Sequence, residues 1–379
     1  MLPVIHKLNS LIRFSKELWG AVRTNGYEEE IRRMKSPLSQ LLEMLQLRMG
    51  PGKIIPEDYY RYTLYDDSKF NPREKRKFMS QEAVPDNLCK TSWNLLGNDK
   101  LLFYSLLNGF NAPLPHTFAL FHHYRNAGKL RVLRTAEDLK HYLLNEVSYP
   151  FVLKPVDGIY SQDVRIIQTL LPDDDRCILG DGSTMAIDTL IRSIVSLGER
   201  GVLFQELLRP HPFIEQICGP RLCSIRMIIL VSPQGSELLH GLWKIAIGKN
   251  MADNYWRGNL LARVNPDSGV VESCISGMGR NLTFHETHPD TGKSLLGFVL
   301  PDWEAAKQEC LKLSSCLSGI PIQAWDVALT NEGPKFLEVN IVGSLFLPQL
   351  ARQEGFLDDK VRTFFQNFSQ NPQLKKSPM

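Results

Sequence analysis

The chain lacks most of the features that settle a function at a glance. Its 379 residues contain no uninterrupted apolar run of the roughly 20 residues that a membrane span requires. It has seven cysteines but no C-x-x-C pair, and the spacings of Cys218 to Cys223 and Cys310 to Cys316 are not those of a zinc site. An odd, scattered set excludes a disulfide framework and suits a reducing compartment, so a cytoplasmic protein is expected. Charge of one sign is also lacking. The 44 basic and 41 acidic residues leave a net charge of +3 and are mixed along the chain, which gives no argument for a nucleic-acid partner. There is no internal repeat and no low-complexity tract.

What is present is ordinary for a globular protein: 43% hydrophobic and 22% charged residues, in a chain long enough for two or three packed subdomains. The opening stretch MLPVIHKLNSLIRFSKELWG is amphipathic. Ile5, Leu8, Leu11, Ile12 and Leu18 fall near one stripe, and Lys7, Arg13 and Lys16 interrupt any signal-peptide core. It reads as a helix packed on its domain, with peripheral membrane contact through residues 1–19 as the lesser alternative. Residues 1–90 look helical and connective, with a Ser cap and a Pro in the first turn at 36–49. Residues 51–78 are rich in Pro, Tyr and charge and read as an irregular surface segment. The basic run at 73–77 reads as a solvated turn rather than a phosphate site.

The style changes near residue 98. A capped helix is expected at 99–108, an extended strand in APLPHTFAL, and a helix at 135–144 with acids in its first turn. Strand-like runs follow at 150–155, 201–207, 224–231 and 239–247, with a hairpin at 260–271 and a helix at 302–316. Helices mixed with mostly antiparallel strands point to α+β subdomains rather than one doubly wound sheet.

The most informative stretch is AWDVALTNEGPKFLEVN, residues 324–340. Apolar residues alternate on either side of a turn. A hairpin centred on Glu332 sets Asp326 opposite Glu338 and Val327 opposite Leu337. Two carboxylates facing across a ladder repel, and a hard divalent cation with oxygen ligands offsets that repulsion. A loop one residue shorter would send the acids to opposite faces. The competing reading is the solvated face of an edge hairpin.

Other candidates are weaker singly. Lys154 ends a strand in FVLKPVDG, ahead of Gly158, where an ammonium reaches phosphate oxygens as a point charge. Lys100 starts a helix, where phosphate is welcome. Arg226 interrupts the apolar run SIRMIILV, and a buried arginine needs an anion; a ligand or metal-site partner is favoured over a purely structural pair. Gln205 and Glu206 close a strand as a candidate hinge. Asp253, Asn254 and Gly258 form either a polar loop or an Asx turn. His285 and His288 read as surface residues.

Taken in order, DKLLFYSLL, FVLKPVDG, QELLRPHP, CSIRMIIL, ADNYWRGN, HPDTG, LPDW and AWDVALTNEGPKFLEVN resemble the ATP-grasp superfamily, and within it the sugar-transfer-associated, α-L-glutamate-ligase-like proteins. The resemblance covers roughly residues 60 to 350. It implies an ATP-grasp fold in which two α+β subdomains sandwich a nucleotide. The matching segments are a helical extension (1–90), an N-terminal portion (91–145), a lid (146–208), a core (209–360) and a tail (361–379). It implies ATP and Mg²⁺ as cofactors. Lys100, Lys154 and Arg226 would face phosphates, with Lys154 and Arg226 acting in catalysis. Gly158 would lie in the phosphate loop, and Gln205, Glu206 and Leu207 in the hinge. Asp326, Glu338 and Asn340 would be metal ligands. The implied activity is ligation of a small-molecule carboxylate to an amine or sugar-linked substrate through an acyl phosphate. A nucleotide-binding protein with little catalysis and a kinase stay open as alternatives. The chain departs from the family's pattern after KPVDG. Where further glycines are usual it reads GIYSQDV, and Gly258–Asn259 replaces a glycine pair. Close backbone approach to phosphate is easiest at glycine. From the sequence alone, replacing Asp326 or Glu338 by Ala should leave the fold intact.

Overall fold

A computed structural model describes residues 16–89, 93–158 and 163–370. The expectations for residues 1–15, and for Ile159 and Tyr160 in the GIYSQDV loop, lie outside the described residues. The chain divides into two units: residues 1–90, 275–284 and 344–379, and residues 91–274 with 285–343.

The larger unit holds two sheets. The first contains β1 (Thr117–Phe121), β2 (Arg131–Leu133), β3 (Phe151–Pro155), β4 (Arg165–Leu171), β5 (Arg176–Leu179), β6 (Thr184–Ala186) and β7 (Val202–Glu206), in the order β2-β1-β7-β3-β4-β5-β6. All its pairings are antiparallel except β1 with β2. Helices Ala136–Asn145 and Ile187–Val195 supply apolar faces to its core, through Leu139, Leu143, Leu190 and Ile194. The first of these begins with a capping box between Thr135 and Asp138, the arrangement that TAED foreshadows.

The second sheet contains β8 (Ile225–Ser232), β9 (Gly235–Ile245), β10 (Leu260–Val264), β11 (Val271–Ser276), β13 (Ile322–Thr330) and β14 (Gly333–Ile341), in the order β11-β10-β9-β8-β13-β14. Strand β13 lies between β8 and β14 and is buried along its whole length, as its nearly continuous apolar run requires. Its polar residues are satisfied individually. The Gln323 amide donates to the carbonyls of Ser314, Leu317 and Ile320 at 2.9–3.0 Å and accepts from the Trp325 indole at 2.8 Å. One side chain thereby ties together three carbonyls at and just beyond the end of helix Trp303–Cys316. At the other end of that helix Trp303 lies on β9 at Gly241, where any Cβ would stand 2.6 Å from the indole ring. The core of this sheet includes Trp243, Trp325, Phe336 and Leu313.

The smaller unit corrects one sequence expectation. Residues 51–78 are not an irregular surface segment: they include helix Pro56–Arg61 and bury Tyr59, Tyr60, Tyr62, Tyr65, Phe70 and Phe78. Tyrosine reads as surface when its partners are unknown, yet its ring fills a core if the hydroxyl is bonded. Here Tyr59 donates to Glu43 and Tyr60 to Gln40, both at 2.6 Å. Within the basic run, Lys75 is only 1% exposed and pairs with Glu43 at 2.8 Å and with Asp67. Helix Phe346–Arg352 joins this unit through Gln349, which donates to Tyr62 Oη and the Met79 carbonyl at 2.9 Å and accepts from Met79 N at 2.8 Å. A short strand, β12 (Thr283–Phe284), pairs with Ile275 and Ser276 at the end of β11.

Candidate functional site

The hairpin β13–β14 carries the site, and its register holds a correction. Asp326 faces Glu338 as expected, but Val327 faces Phe336 rather than Leu337. The turn is one residue tighter than expected, with Thr330 paired to Gly333. Alone this would put the two acids on opposite faces. A bulge at Leu337 restores the phase between Asp326 and Val327. A bulge also leaves backbone groups outside the ladder. The Leu337 carbonyl accepts from Tyr104 Oη at 2.8 Å and lies 3.4 Å from Lys154 Nζ.

Four charged side chains cross neighbouring strands. Asp326 faces Arg226 on β8 and Glu338 on β14. Arg226 makes a two-pronged pair with Asp326, Nε and Nη2 each at 2.8 Å from a separate carboxylate oxygen. Lys244 on β9 adds a third donor at 3.0 Å. Burial alone would raise the Asp326 pKa, but Arg226 and Lys244 hold it well below the usual carboxylate range. Burial works against the charges of Arg226 and Lys244 too. Asp326 outweighs it for Arg226, and Asp253 with Asp326 for Lys244, so both rise above their ordinary values. Asp253 in turn accepts from Ser224 N at 2.6 Å and from its hydroxyl at 2.5 Å.

Glu338 is freer. Its side chain is 30% exposed; Asn340 Nδ2 approaches it at 3.3 Å and Lys100 Nζ at 3.9 Å. Lys100 begins helix Lys100–Asn108, capped by Asp99, whose carboxylate accepts from Leu102 N at 2.9 Å. Its ammonium donates to the Gly158 carbonyl. Burial, and then the positive charge of Lys154, push its pKa down to about 8 against the pull of Glu338. Lys154, at the end of β3, has Tyr104 Oη at 3.3 Å and, among the described residues, no carboxylate within ion-pair distance. Burial disfavours its charge, but Tyr104 and Glu338 more than offset this and raise its pKa.

The structure therefore brings Lys100, Lys154, Gly158, Arg226, Asp326, Glu338 and Asn340 together. Gln205 reaches the group only through Tyr104 Oη at 3.5 Å, and its amide donates to Thr117 at 2.9 Å. Glu206 and Leu207 lie at the end of β7; Glu206 accepts from His116 N at 2.7 Å and is not part of the charged row. Lys244, Tyr104 and Asp253 completed the site without having been singled out as partners. Lys244 carried the same signal as Arg226, one cation inside an apolar strand (LHGLWKIAI). His288 is fully buried rather than at the surface; its ring bonds the Ala246 carbonyl and Asp290 N, both at 3.2 Å. In the 250–259 loop, the Asn254 side chain forms an Asx turn onto Trp256 N. Asn259 is buried and bonds Ala252 O, Asn254 O and Ile247 N.

Among the described residues no group of three or more His, Cys, Asp or Glu side chains is gathered for a metal. The donors present, two carboxylates and an amide, are oxygen donors that suit Mg²⁺ rather than zinc. Lys100 and Lys154 beside them suit phosphate oxygens.

These two sheets and their helices form the α+β architecture of ATP-grasp proteins. The chain belongs to the sugar-transfer-associated ATP-grasp family, whose model matches residues 87–363. No curated protein matches it. Among solved structures it is similar to the biotin carboxylase domain of Hydrogenobacter thermophilus 2-oxoglutarate carboxylase, solved with MgADP, ADP and bicarbonate, at 13% identity and a TM-score of 0.41, over 73% of this chain and 46% of that one. It is also similar to the D-alanine–D-alanine ligase of Helicobacter pylori, at 13% identity and a TM-score of 0.39, over 73% of this chain and 61% of that one. The corresponding ligase of Bacillus anthracis matches at 14% identity and a TM-score of 0.39, over 75% and 70%. The chain thus spans less than two thirds of the first two. No helix among the described residues is long and apolar enough to cross a membrane.

Proposed function

We propose that the chain is an ATP- and Mg²⁺-dependent ligase joining a carboxylate to an amine or related nucleophile. The observation that carries this reading is the convergence of Lys100 and Lys154 on the bulged end of β14, beside a Glu338 that neither of them neutralises fully. Lys100 and Lys154 would hold phosphate oxygens as point charges. Glu338 and Asn340, with Asp326 behind them, would hold Mg²⁺, which supplies charge neutralisation during phosphoryl transfer. Arg226 and Lys244 keep Asp326 ionised and fixed. A substrate carboxylate oxygen attacks the γ-phosphorus and ADP leaves. The nucleophile then attacks the acyl carbon, phosphate departs, and the nucleophile's proton is lost. Such chemistry rests on positioning and electrostatics and requires no nucleophilic side chain. The family's sugar-transfer association supports a sugar-conjugate or surface-polysaccharide substrate, handled in the cytoplasm.

A second reading, nucleotide binding with little turnover, is favoured by one observation: Gly158 is the only glycine between Lys154 and Gly180, and its carbonyl already engages Lys100. The test is isothermal titration with ATP, with and without Mg²⁺. Mg²⁺-dependent binding that disappears in Glu338→Ala supports the nucleotide site, and ADP release on adding carboxylate and amine then supports ligation. Absence of binding in both conditions would overturn both readings.

A further inference from the structure

The smaller unit contains a cleft of about 540 Å³ that takes no part in the charged row. One wall is the turn bearing Arg73, Arg76 and Lys77; the other is the start of helix Asp359–Gln370, bearing Asp358, Asp359 and Arg362. Backbone bonds pin the two walls together. Leu357 N donates to the Lys77 carbonyl at 2.8 Å. Arg362 donates through Nε to Leu357 O at 3.1 Å and through Nη2 to Arg76 O at 3.2 Å. Arg362 is thus held by carbonyls rather than by a carboxylate.

The neighbours in the basic run are committed elsewhere. Lys75 is buried against Glu43, and Glu74 closes the capping box at Asn71. The side chains of Arg73, Arg76 and Lys77, by contrast, have no hydrogen-bond or ion-pair partner among the described residues. Four cations thus share one cleft with two carboxylates, and one of those, Asp358, already accepts from Val361 N at 2.8 Å. The volume is that of a small-molecule site. Guanidinium groups gathered around it, one of them held by carbonyls, match a phosphate in charge and hydrogen-bond donors. The two acids disfavour a ligand that is anionic throughout and accept hydrogen bonds from hydroxyls.

We propose that this cleft binds a phosphomonoester whose organic part carries hydroxyl groups, as a sugar phosphate does. It is a site separate from the nucleotide site and does not rest on the ligase reading. The test is calorimetry on the full chain with glucose 6-phosphate, glucose and inorganic phosphate as separate probes, together with flotation on phosphatidylcholine vesicles containing phosphatidic acid. Glucose 6-phosphate should bind at least about tenfold tighter than either fragment and weaken as salt rises. The Arg73→Ala/Arg76→Ala double variant should lose at least about tenfold of that affinity. Asp359→Asn should weaken glucose 6-phosphate but not phosphate. All these side chains are exposed, and both variants should titrate with Mg²⁺–ATP like the parent. Three outcomes would overturn the proposal: glucose 6-phosphate no tighter than phosphate, affinity unchanged in the double variant, or binding to the vesicles alone.

Discussion

Each unit contains a cluster of opposed charges, and the two are built to different ends. In the smaller unit, Lys35 and Lys75 both bridge Glu43 and Asp67, and Tyr59 donates to the Glu43 oxygen that Lys35 also engages. Two cations meet two anions, every charge has two opposite neighbours, and nothing is left over. In the larger unit only part of the cluster closes. Arg226, Lys244 and Asp326 satisfy one another, while Lys154 makes no ion pair among the described residues and Lys100 stands 3.9 Å from Glu338. Closed clusters position elements; open ones hold charge in reserve for something that arrives later. Perturbed titration alone would not separate them, because both contain shifted groups. The distinction lies in which charges remain without a full partner.

This contrast can be broken most sharply at Asp326. Asp326→Ala leaves Arg226 buried without its acid and Lys244 with Asp253 alone, and should cost about 3–5 kcal/mol of stability, read as a lower urea midpoint. That differs from the expectation drawn from sequence, in which either acid was dispensable to the fold. A variant as stable as the parent would remove Asp326 from the closed half. Lys75→Met leaves Glu43 and Asp67 with Lys35 as their remaining cation, and Asp67 is largely exposed, so the loss should be smaller, about 2 kcal/mol, with Mg²⁺–ATP affinity unchanged. Glu338→Ala should keep stability within about 0.5 kcal/mol while Mg²⁺-dependent nucleotide binding falls at least tenfold, about 1.4 kcal/mol. Lys154→Met should weaken nucleotide binding by about 1 kcal/mol and leave stability within about 0.5 kcal/mol, since it removes a cation held by Tyr104 and, beyond ion-pair distance, by Glu338; a clear fall in its melting temperature would place Lys154 among the structural charges. The smallest effect should come from acid. The Lys35 and Lys75 contacts outweigh burial and hold the Asp67 carboxyl below its ordinary 3.8. Its contribution is therefore present above pH 3.8 and is lost as pH falls toward the lower folded value. Exposure limits it to less than about 1 kcal/mol, and the Asp67→Asn variant should show a correspondingly flatter acid limb.

Local features were legible from sequence where a single segment carried the whole signal. The caps at Ser36 and Asp99, the helix at 135–144 with acids in its first turn, the helix at 302–316 and the pairing of Asp326 with Glu338 are of this kind. Features that depend on a distant partner were not. Lys244 gains its role from Asp326, 82 positions away. The buried Tyr59 and Tyr60 looked like surface because Glu43 and Gln40, which satisfy their hydroxyls, lie on another helix. Strand periodicity also assumes an unbroken ladder, so it could not reveal the bulge at Leu337.

That bulge has a consequence for how the chain is compared with others. Turn length and the facing of the two acids are normally locked together by parity, since one residue added or removed swaps the faces. Here an odd residue in the strand cancels an odd residue missing from the turn. A homologue with a turn one residue longer and no bulge would place its acids identically and at the same spacing, while the residues between the turn and the bulge would pair one position out of step. Relatives should therefore be matched by counting outward from Asp326 across the sheet rather than inward from the turn. A designer who lengthens the turn must delete Leu337 in the same stroke.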